Sequence, residues 1–318
     1  MRVHIINEHP DWIVTLGRAL DGAGIPWAEW YTDAGSFDLE AAPPQGVWFN
    51  RMSASSHTRG HVHAVNHARE LVGWLESHGR RVLNGTRALT LEMSKVQQAA
   101  ALRAAGLLTP RTIAVVGGRA EIMDAARRAA AGEIGLPFIL KPNRGGKGLG
   151  VRLVSELSQL EAYLASADLS ESPDNVWLIQ QYIRAAEPFI TRCEFVGGEF
   201  VYAIRSSTAE GFELCPADGC GTCSTAPARF SLRAGFDGEI VDSLRAFVRE
   251  QSLDVCGIEF VEDVSGNQFV YDINGTTNYN PQIEAEAGQG GATGRLMELF
   301  ARELAAANTG ERCPAGHV

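Results

Sequence analysis

Long apolar runs are missing from this chain of 318 residues. No stretch approaches the roughly 20 consecutive apolar residues that a membrane-spanning helix needs, so we expect no membrane partner. Residues 1–6 have the pattern of a β-strand and lack the charged and then apolar segment that is typical of an export signal. These absences predict a cytoplasmic protein.

Positive charge is also in short supply, since 28 Lys and Arg stand against 38 Asp and Glu, with a net charge of -10. Nucleic acids are bound mainly through clustered Lys and Arg. This balance argues against a nucleic acid as the main partner. It leaves a small molecule, a peptide or a protein with a basic patch as the expected substrate.

Cysteine is scarce too, with six residues in the chain, and without an export signal we expect them to be reduced. Cys215, Cys220 and Cys223 have a spacing that resembles part of a plant-type iron–sulfur ligand set or three zinc ligands. A fourth ligand would have to come from Cys193, Cys256 or a histidine. The alternative is a loop of small residues with free thiols.

The chain opens with strand patterns that alternate with helical patterns, the rhythm of a small parallel sheet. The strands are predicted at residues 2–6, 46–51 and 81–83, and the helices at 11–23 and 60–77. This predicts an α/β unit over residues 1–93.

A second unit is predicted to begin at Ser94, where Ser94 and Gln97 have capping-box spacing and open a helix that Gly106 would end. Its strands are predicted near 111–116, 137–142 and 150–154, and its helices near 119–131 and 156–166. Two later hairpins, which turn at Gly197–Gly198 and near Gly266, indicate an antiparallel sheet in a third unit. A last helix is predicted near 294–306, followed by a frayed tail.

The most informative motif is FILKPNRGGKGLGVRLV at 138–154, in which Lys141 ends a buried strand pattern and a glycine-rich loop follows. Glycine lets bare backbone N–H groups close over phosphate oxygens, while an ammonium supplies positive charge. A P-loop would need Ser or Thr after Gly-Lys, whereas Lys147 is followed by Gly148 and a strand pattern. Protein kinases place their glycines before the lysine. The alternative is a surface hairpin without a ligand.

Acidic and amide side chains lie on the last two strand patterns, with Glu259 in GIEF and Asp272 and Asn274 in YDIN. Asp272 and Asn274 are two residues apart, so they point to the same face of a strand. If the strands pair, three oxygen ligands converge, and such ligands suit Mg²⁺. A phosphate-binding loop and a magnesium face together imply ATP.

The order of these features resembles the ATP-grasp superfamily, through Ser94-Lys95, FILKPNRGGKGLGV, LIQQYI and GIEFVED followed by FVYDIN. Within it the chain looks most like the RimK-like ribosomal-protein glutamate ligase group, over about residues 90–305. The resemblance implies an ATP-grasp fold of the α/β class. It would have a Rossmann-like N-terminal domain (1–93), a small central lid domain (94–178), a C-terminal antiparallel-sheet domain (179–308) and a tail (309–318).

The resemblance also implies roles by position. Lys141 and Lys95 would contact the ATP phosphates, and residues 145–150 would form the mobile lid. The lid glycines and lysine are Gly145, Gly146, Lys147 and Gly148. The magnesium ions, for which Mn²⁺ is an alternative, would be held by Glu259, Asp272 and Asn274.

At the adenine end, Gln181, Tyr182 and Ile183 would be the linker that contacts the base. The family usually has Glu where Gln181 stands, and Ile190 stands where an acidic residue holds the ribose, so Glu187 is the candidate replacement. The loop after Asn274 also lacks the Ser and Pro of close relatives. Because this loop faces the substrate in the family, we expect an unusual acceptor.

The reaction that the resemblance implies is phosphorylation of a carboxylate by ATP, followed by attack of an amine on the acyl-phosphate. Cations around the moving phosphoryl group assist the first step. Arg205 and Arg192, on the hairpin strands, could hold a carboxylate or the acyl-phosphate through paired hydrogen bonds, and a solvated hairpin face is the alternative. Arg229 is a further candidate, because the family has a basic residue on a loop in this region.

Two other features carry competing interpretations. Arg51 ends the strand pattern VWFNRM, where α/β sheets present ligands, so it either binds a substrate carboxylate or is a charged strand end. His63 and His67 lie one helical turn apart in a cluster with His57 and His61, and they either bind a transition metal or are exposed surface histidines.

The sequence therefore predicts an ATP- and Mg-dependent ligase that joins a carboxylate to an amine, with an amino acid, peptide or protein terminus as acceptor. One alternative is a nucleotide-binding regulatory protein that keeps the fold without ligation. Another is an iron–sulfur protein built around residues 215–223. A homo-oligomer stays open, since a single sequence shows no symmetric surface.

Overall fold

A computed structural model describes residues 1–146, 148–166, 169, 172–208 and 230–309 of the chain. Its strands form three separate sheets, one parallel and two antiparallel. No helix among the described residues combines the length and the apolar character that a membrane crossing requires. The α/β fold class predicted from the sequence is confirmed.

The N-terminal sheet has four parallel strands in the order β2-β1-β3-β4. The strands are β1 (Arg2–Asn7), β2 (Trp27–Tyr31), β3 (Gly46–Asn50) and β4 (Arg81–Leu83), and the helices are α1 (Pro10–Gly22), α2 (Ala64–Ser77) and α3 (Thr86–Met93). All of β3 is buried, as expected for a parallel strand covered on both faces. The sequence analysis missed β2, because this edge strand is half exposed and carries no continuous apolar run.

Helix α4 (Lys95–Ala104) begins where the sequence predicted, since the Ser94 hydroxyl accepts a hydrogen bond from the Gln97 backbone N–H at 3.2 Å. It does not pack on the central sheet. Ala101 and Leu102 instead share a hydrophobic cluster with Phe195 of the C-terminal sheet. The predicted boundary at Ser94 stays a prediction, and the capping signal behind it marks a helix start without information about which sheet the helix contacts.

The central sheet is antiparallel throughout, with the order β5-β8-β6-β7. Its elements are β5 (Thr112–Val116), α5 (Arg119–Ala131), β6 (Phe138–Pro142), β7 (Arg152–Val154), α6 (Leu157–Ala165) and β8 (Val176–Gln181). Helices α5 and α6 cover one face through a cluster that includes Phe138, Leu140 and Ile179. Strand β8 continues to Gln181, past the predicted domain boundary at 178.

The C-terminal sheet is also antiparallel, with the order β11-β10-β9-β12-β13. Its elements are β9 (Phe189–Val196), β10 (Glu199–Ser207), β11 (Phe230–Leu232), α7 (Glu239–Glu250), β12 (Val255–Glu262) and β13 (Gln268–Asn274), followed by α8 (Pro281–Ala287) and α9 (Ala292–Thr309). Gly197 and Gly198 both have positive φ, as the predicted two-residue hairpin turn requires.

The N-terminal and C-terminal units are joined by a shared core and by polar contacts. Ile5 and Phe49 of the first sheet pack in one cluster with Leu296 and Phe300 of α9. Beside this core, Arg81 forms ion pairs with Asp254 and Glu303. The two units therefore fix the walls of the space between them.

Asn84 connects the N-terminal and C-terminal units through several hydrogen bonds. Its Nδ2 donates to the carbonyls of Val255 at 2.7 Å and Gly275 at 2.8 Å, and its Oδ1 accepts from the N–H groups of Asp254 and Val255, both at 3.0 Å. Asn84 is 2% exposed and has φ 55°, a left-handed conformation that asparagine tolerates. One side chain thus satisfies four buried backbone groups.

We expect Asn84→Ala to lower the free energy of unfolding by about 3 kcal/mol, because it leaves buried backbone groups without partners. In a chain of this size this corresponds to a fall in melting temperature of about 5 °C, measured by circular dichroism. Asn175→Ala is the matched control, since Asn175 has φ 54° but is exposed. Equal losses in the two variants would show that backbone strain, and not the four hydrogen bonds, sets the cost.

Candidate active site

Strand alternation gives the C-terminal sheet one apolar face and one charged face. Cys193, Phe195 and Ile258 point into the core between the sheet and α7. Arg192, Glu259 and Asp272 occupy one row across β9, β12 and β13, since Arg192 is opposite Glu259 and Glu259 is opposite Asp272. Directly opposed residues share a face, so this row is charged and faces a cavity.

The centre of the row is an arginine held between two carboxylates. Arg192 donates from Nε to Glu194 Oε1 at 2.6 Å and from Nη1 to Glu259 Oε1 at 3.1 Å. Its other Nη donates to the Thr277 hydroxyl at 3.0 Å. Burial would lower the pKa of Arg192, but Glu194 and Glu259 outweigh it and raise the pKa. Arg192 thus stays charged and fixes the orientation of Glu259.

A β-bulge adds a tyrosine to the same face. The register between β12 and β13 shifts after Glu259, so that Asp272 pairs with Glu259 while Val270 pairs with Phe260. Tyr271 is the extra residue, and its hydroxyl donates to Glu259 Oε2 at 3.1 Å. The sequence gives no sign of this bulge, because bulges arise from pairing between strands and not from the pattern of one strand.

Two lysines from different elements approach the row. Lys95, at the first turn of α4, forms an ion pair with Asp272. Burial would lower the pKa of Lys95, but the adjacent Asp272 carboxylate outweighs burial and raises it. Lys141 on β6 is 5% exposed, and its Nζ lies 5.7 Å from the centre of the Tyr271 ring.

Among the described residues, no carboxylate forms an ion pair with Lys141. Burial, with a further contribution from the positive charge of Lys95, lowers the pKa of Lys141 to about 7, although Asp272 and Glu259 act in the opposite direction. A lysine at this pKa is only partly charged near neutral pH. An anionic ligand such as a phosphate would restore its charge.

The three predicted metal ligands lie together on this face. Glu259 and Asp272 are opposed, and Asn274 is two residues further along β13. The Asn274 amide nitrogen is buried and has no hydrogen-bond partner among the described residues. The side-chain amide is therefore uncommitted, and its oxygen is available as a ligand.

This donor set fits Mg²⁺ better than a soft metal. Within the described part of the chain, no three His, Cys, Asp or Glu side chains gather into a ligand group. Two carboxylates and one amide make an incomplete shell, and Mg²⁺ commonly completes such a shell with water and substrate phosphates. Glu92 also lines the cavity, near Asp272 and Lys95, and burial raises the pKa of its carboxyl group.

A cavity of about 1780 Å³ extends from this face to the glycine-rich loop. Gly145, Gly146 and Gly148 line it, as do Lys95 and Lys141. Gly146 approaches Ser55 of the N-terminal unit so closely that an added Cβ would lie 3.4 Å from the Ser55 Cβ. The predicted lid glycines and the predicted metal face thus line one cavity, while Lys147 lies outside the described residues.

The predicted adenine linker also lines the cavity. Gln181, Tyr182 and Ile183 line it, together with Ile190, which is 6% exposed. The Gln181 side-chain oxygen accepts a hydrogen bond from the Arg111 N–H at 3.2 Å. Glu187 is exposed and does not line the cavity, so its contact with a ribose stays a prediction.

The structure places the three candidate arginines differently. Arg192 lines the cavity, whereas Arg205 does not. Ile204 is the residue opposite Arg192, so the adjacent Arg205 points to the other face of the sheet, where it is exposed and lies 5.0 Å from the Phe189 ring centre. The catalytic role predicted for Arg205 therefore finds no support in its position. Arg229 lies outside the described residues.

The sequence analysis missed several polar residues of the cavity. Glu194 could have been found, because it is two residues from Arg192 on the same strand and so shares its face. Tyr202 could not, since a register shift between Phe200 and Tyr202 decides which face it occupies. The Tyr202 hydroxyl donates to Glu284 at 2.6 Å.

The other predicted metal sites are less well supported. His61 pairs with Asp33 at 2.9 Å, and His67 contacts the Thr32 carbonyl at 3.0 Å through Nδ1, so both are engaged locally. Cys193 and Cys256 are free and fully buried. The cysteines of the C-x4-C-x2-C motif at 215–223 lie outside the described residues.

Comparison with known proteins agrees with this geometry. Residues 95–214 match the family described as the RimK-like ATP-grasp domain. A D-alanine–D-alanine ligase of Aromatoleum aromaticum is 31% identical over 144 residues, which are 42% of this chain and 44% of the relative. The match thus covers less than half the length of that relative.

Solved structures share the fold along nearly the whole chain. A RimK-domain ATP-grasp protein from Sphaerobacter thermophilus has a TM-score of 0.65 at 17% identity, covering 94% of this chain and 98% of that one. The ATP-grasp ligase PsnB, in a complex with a phosphomimetic precursor, Mg and ADP, has a TM-score of 0.63 at 19% identity, covering 95% and 98%. At these identities the likeness shows the fold.

Proposed function

We propose that this chain, whose residues 95–214 match the RimK-like ATP-grasp domain and whose fold is that of ATP-grasp proteins, is an ATP-dependent ligase that joins a carboxylate to an amine. The observation that supports the proposal most directly is the meeting of Lys95, Lys141 and Asp272 in one cavity under a glycine-rich loop. Two cations suited to phosphates there face carboxylates suited to a metal. This combination is what a site for Mg-ATP requires.

The residues divide between the two ends of the nucleotide. Gln181, Tyr182 and Ile183 contact adenine, and Lys141 and Lys95 bind phosphates with the backbone of Gly145, Gly146 and Gly148. Glu259, Asp272 and Asn274 hold Mg²⁺, or Mn²⁺ in its place. When bound, the ion supplies positive charge that stabilises negative charge on the transferred phosphoryl group.

The reaction proceeds in two steps. A carboxylate oxygen of the substrate attacks the γ-phosphorus of ATP, a bond to phosphorus forms, and ADP leaves. The amine then attacks the acyl carbon, phosphate leaves and the amine loses a proton, which gives an amide. The protein contributes mainly position and charge, since phosphoryl transfer needs little covalent participation by side chains.

The acceptor class is an amino acid, a peptide or a protein terminus. The lining of the cavity also includes Trp12 and Arg51 of the N-terminal unit, and Tyr279 of the 276–280 loop. This leaves room for a second substrate beside the nucleotide. The unusual loop sequence lies in this part of the cavity, which supports an acceptor different from that of close relatives.

A phosphate-release screen tests the proposal. The chain is incubated with Mg-ATP and pools of amino acids and short peptides, and the nucleotide product is identified by chromatography. We expect ADP and phosphate only with a pool that contains the right acid and amine, and Lys141→Ala is expected to lack this activity. Formation of AMP in place of ADP would overturn the acyl-phosphate route.

The alternative function is a regulatory protein that binds ATP without ligation. It predicts tight binding of ATP and no phosphate release with any pool. The presence of the full set Glu259, Asp272 and Asn274 on one face argues for turnover, because a protein that only binds nucleotide does not need to stabilise a moving phosphoryl group. The same screen separates the two functions.

A further inference from the structure

Arg51 is the most buried arginine of the cavity, and it lacks an acidic partner. Its side chain is 5% exposed, and its guanidinium donates to the Thr277 carbonyl at 3.2 Å and to Asn278 Oδ1 at 2.5 Å. Both acceptors are neutral. Among the described residues no carboxylate forms an ion pair with Arg51.

Other arginines of the interior differ in this respect. Three of them are ion-paired, Arg192 with Glu194 and Glu259, Arg81 with Asp254 and Glu303, and Arg59 with Glu8. A buried charge without a counter-charge is costly, so such groups are normally paired. Burial accordingly lowers the pKa of Arg51 to about 10. The missing partner of Arg51 is therefore expected to come from a ligand.

Tyr279 supplies a second uncommitted donor beside Arg51. Its hydroxyl is buried without a hydrogen-bond partner in the described part of the chain, and it lines the same cavity. Burial, together with nearby Glu194, raises the pKa of Tyr279 well above its ordinary value, so the hydroxyl stays protonated and can donate. A guanidinium and a hydroxyl are together matched to the oxygens of a carboxylate.

The location sets this pair apart from the metal face. Arg51 follows the carboxyl end of β3, where α/β sheets present ligands. Thr277 lies between the two regions, because its carbonyl accepts from Arg51 and its hydroxyl accepts from Arg192. Arg51 and Arg192 are thus separated by one residue of the 276–280 loop, and a group held by Arg51 is near the metal face.

We propose that Arg51 and Tyr279 form a carboxylate subsite, which anchors an acid group that the reaction does not consume. The inference rests on the proposed function for the distinction between the anchoring and the reacting acid. A carboxylate neutralised by a guanidinium is a poor nucleophile, and the reacting one has to lie at the phosphates. One substrate is therefore an amino acid, a peptide with a free carboxyl terminus or a dicarboxylate.

Matched acids and amides test this subsite. The pairs are L-alanine with L-alaninamide, L-alanyl-L-alanine with its amide, and glutarate with glutaramide, and binding is measured by ligand-observed NMR with and without Mg-ADP. We expect at least one acid to bind the unchanged chain about tenfold more tightly than its amide. Arg51→Gln is expected to abolish this difference, and Tyr279→Phe to reduce it several-fold.

Two controls on Arg51→Gln distinguish a binding role from a structural one. Arg51→Gln should bind Mg-ADP as the unchanged chain does, and its melting temperature should stay within about 2 °C, because an unpaired buried charge has been removed. A large fall in melting temperature with unchanged preference for acids would assign Arg51 a structural role and overturn the subsite. The same conclusion follows if no acid is preferred over its amide by the unchanged chain.

The nucleotide measurement separates the two proposals. Failure of the unchanged chain to bind Mg-ADP would contradict the proposed function. The preference for acids, measured without nucleotide, would still decide whether Arg51 and Tyr279 form a carboxylate subsite.

Discussion

Asp272→Asn is expected to reduce acid-dependent phosphate release by on the order of 100- to 1000-fold, because it removes one of two carboxylates that hold the metal. The change keeps the size of the side chain and its place opposite Glu259. It also leaves Lys95 without its ion-pair partner, while Glu259 remains on the same face. Steady-state rates over a wide range of Mg²⁺ concentration measure the effect.

The Mg²⁺ concentration that gives half-maximal rate tells whether Asp272 binds the metal or only neutralises the charge of Lys95. Asp272→Asn should require more Mg²⁺ for half-maximal rate, whereas a partner that only neutralises Lys95 would leave this requirement unchanged. Asp242→Asn is the control, since Asp242 is exposed in the first turn of α7 and pairs with Arg245 there. We expect the control to keep its activity, and loss of activity in both variants would contradict the assignment.

Lys141→Met is expected to stabilise the protein while it weakens Mg-ATP binding by about 100-fold or more. The pKa of Lys141 is about 7 in the folded chain and 10.5 ordinarily. Below pH 7 the buried ammonium group therefore stays charged in the folded chain, although burial disfavours the charged form. The penalty is on the order of a few kcal/mol at neutral pH. Methionine has a similar length and carries no charge, so the substitution removes this penalty.

The sign of the pH dependence follows from the lowered pKa of Lys141. Between pH 7 and 10.5 the unfolded chain binds more protons at this lysine than the folded chain, so the stability of the unchanged chain rises with pH in this window. The advantage of Lys141→Met should therefore be larger at pH 6 than at pH 9. Thermal melts at both values measure it.

Lys95→Met is the matched control, because the paired Lys95 has a raised pKa. It should destabilise the protein at neutral pH, the opposite of Lys141→Met. Lysine occurs only at positions 95, 141 and 147, so selectively labelled lysine gives few NMR signals and allows the pKa of Lys141 to be measured directly. A pKa near 10.5 would contradict the stability prediction.

Much of the fold was predictable from periodicity and turn residues. Strand β4, helix α5 and the hairpin turn at Gly197–Gly198 agree with the sequence analysis, because each is specified by local signals. The edge strand β2 and the packing of α4 were not predictable. Both depend on which surface an element meets, and a single sequence does not specify this.

The site shows the same division between local and non-local information. The convergence of Glu259, Asp272 and Asn274 followed from alternation on two strands. The bulge at Tyr271 and the outward position of Arg205 depend on the register between strands, which alternation alone leaves open. The lack of a carboxylate beside Arg51 is visible only once the whole interior has been assembled.

The two lysines at the site belong to different structural units of the chain. Lys95 starts a helix packed on the C-terminal sheet, whereas Lys141 is on the central sheet, and the link between them includes hydrogen bonds from the N–H groups of Lys95 and Val96 to Asn143. A movement of the central sheet relative to the C-terminal sheet would therefore change the distance between Lys141 and Lys95. The positive charge of Lys95 lowers the pKa of Lys141, so we expect a polyanion that contacts both ammonium groups to relieve the repulsion between them.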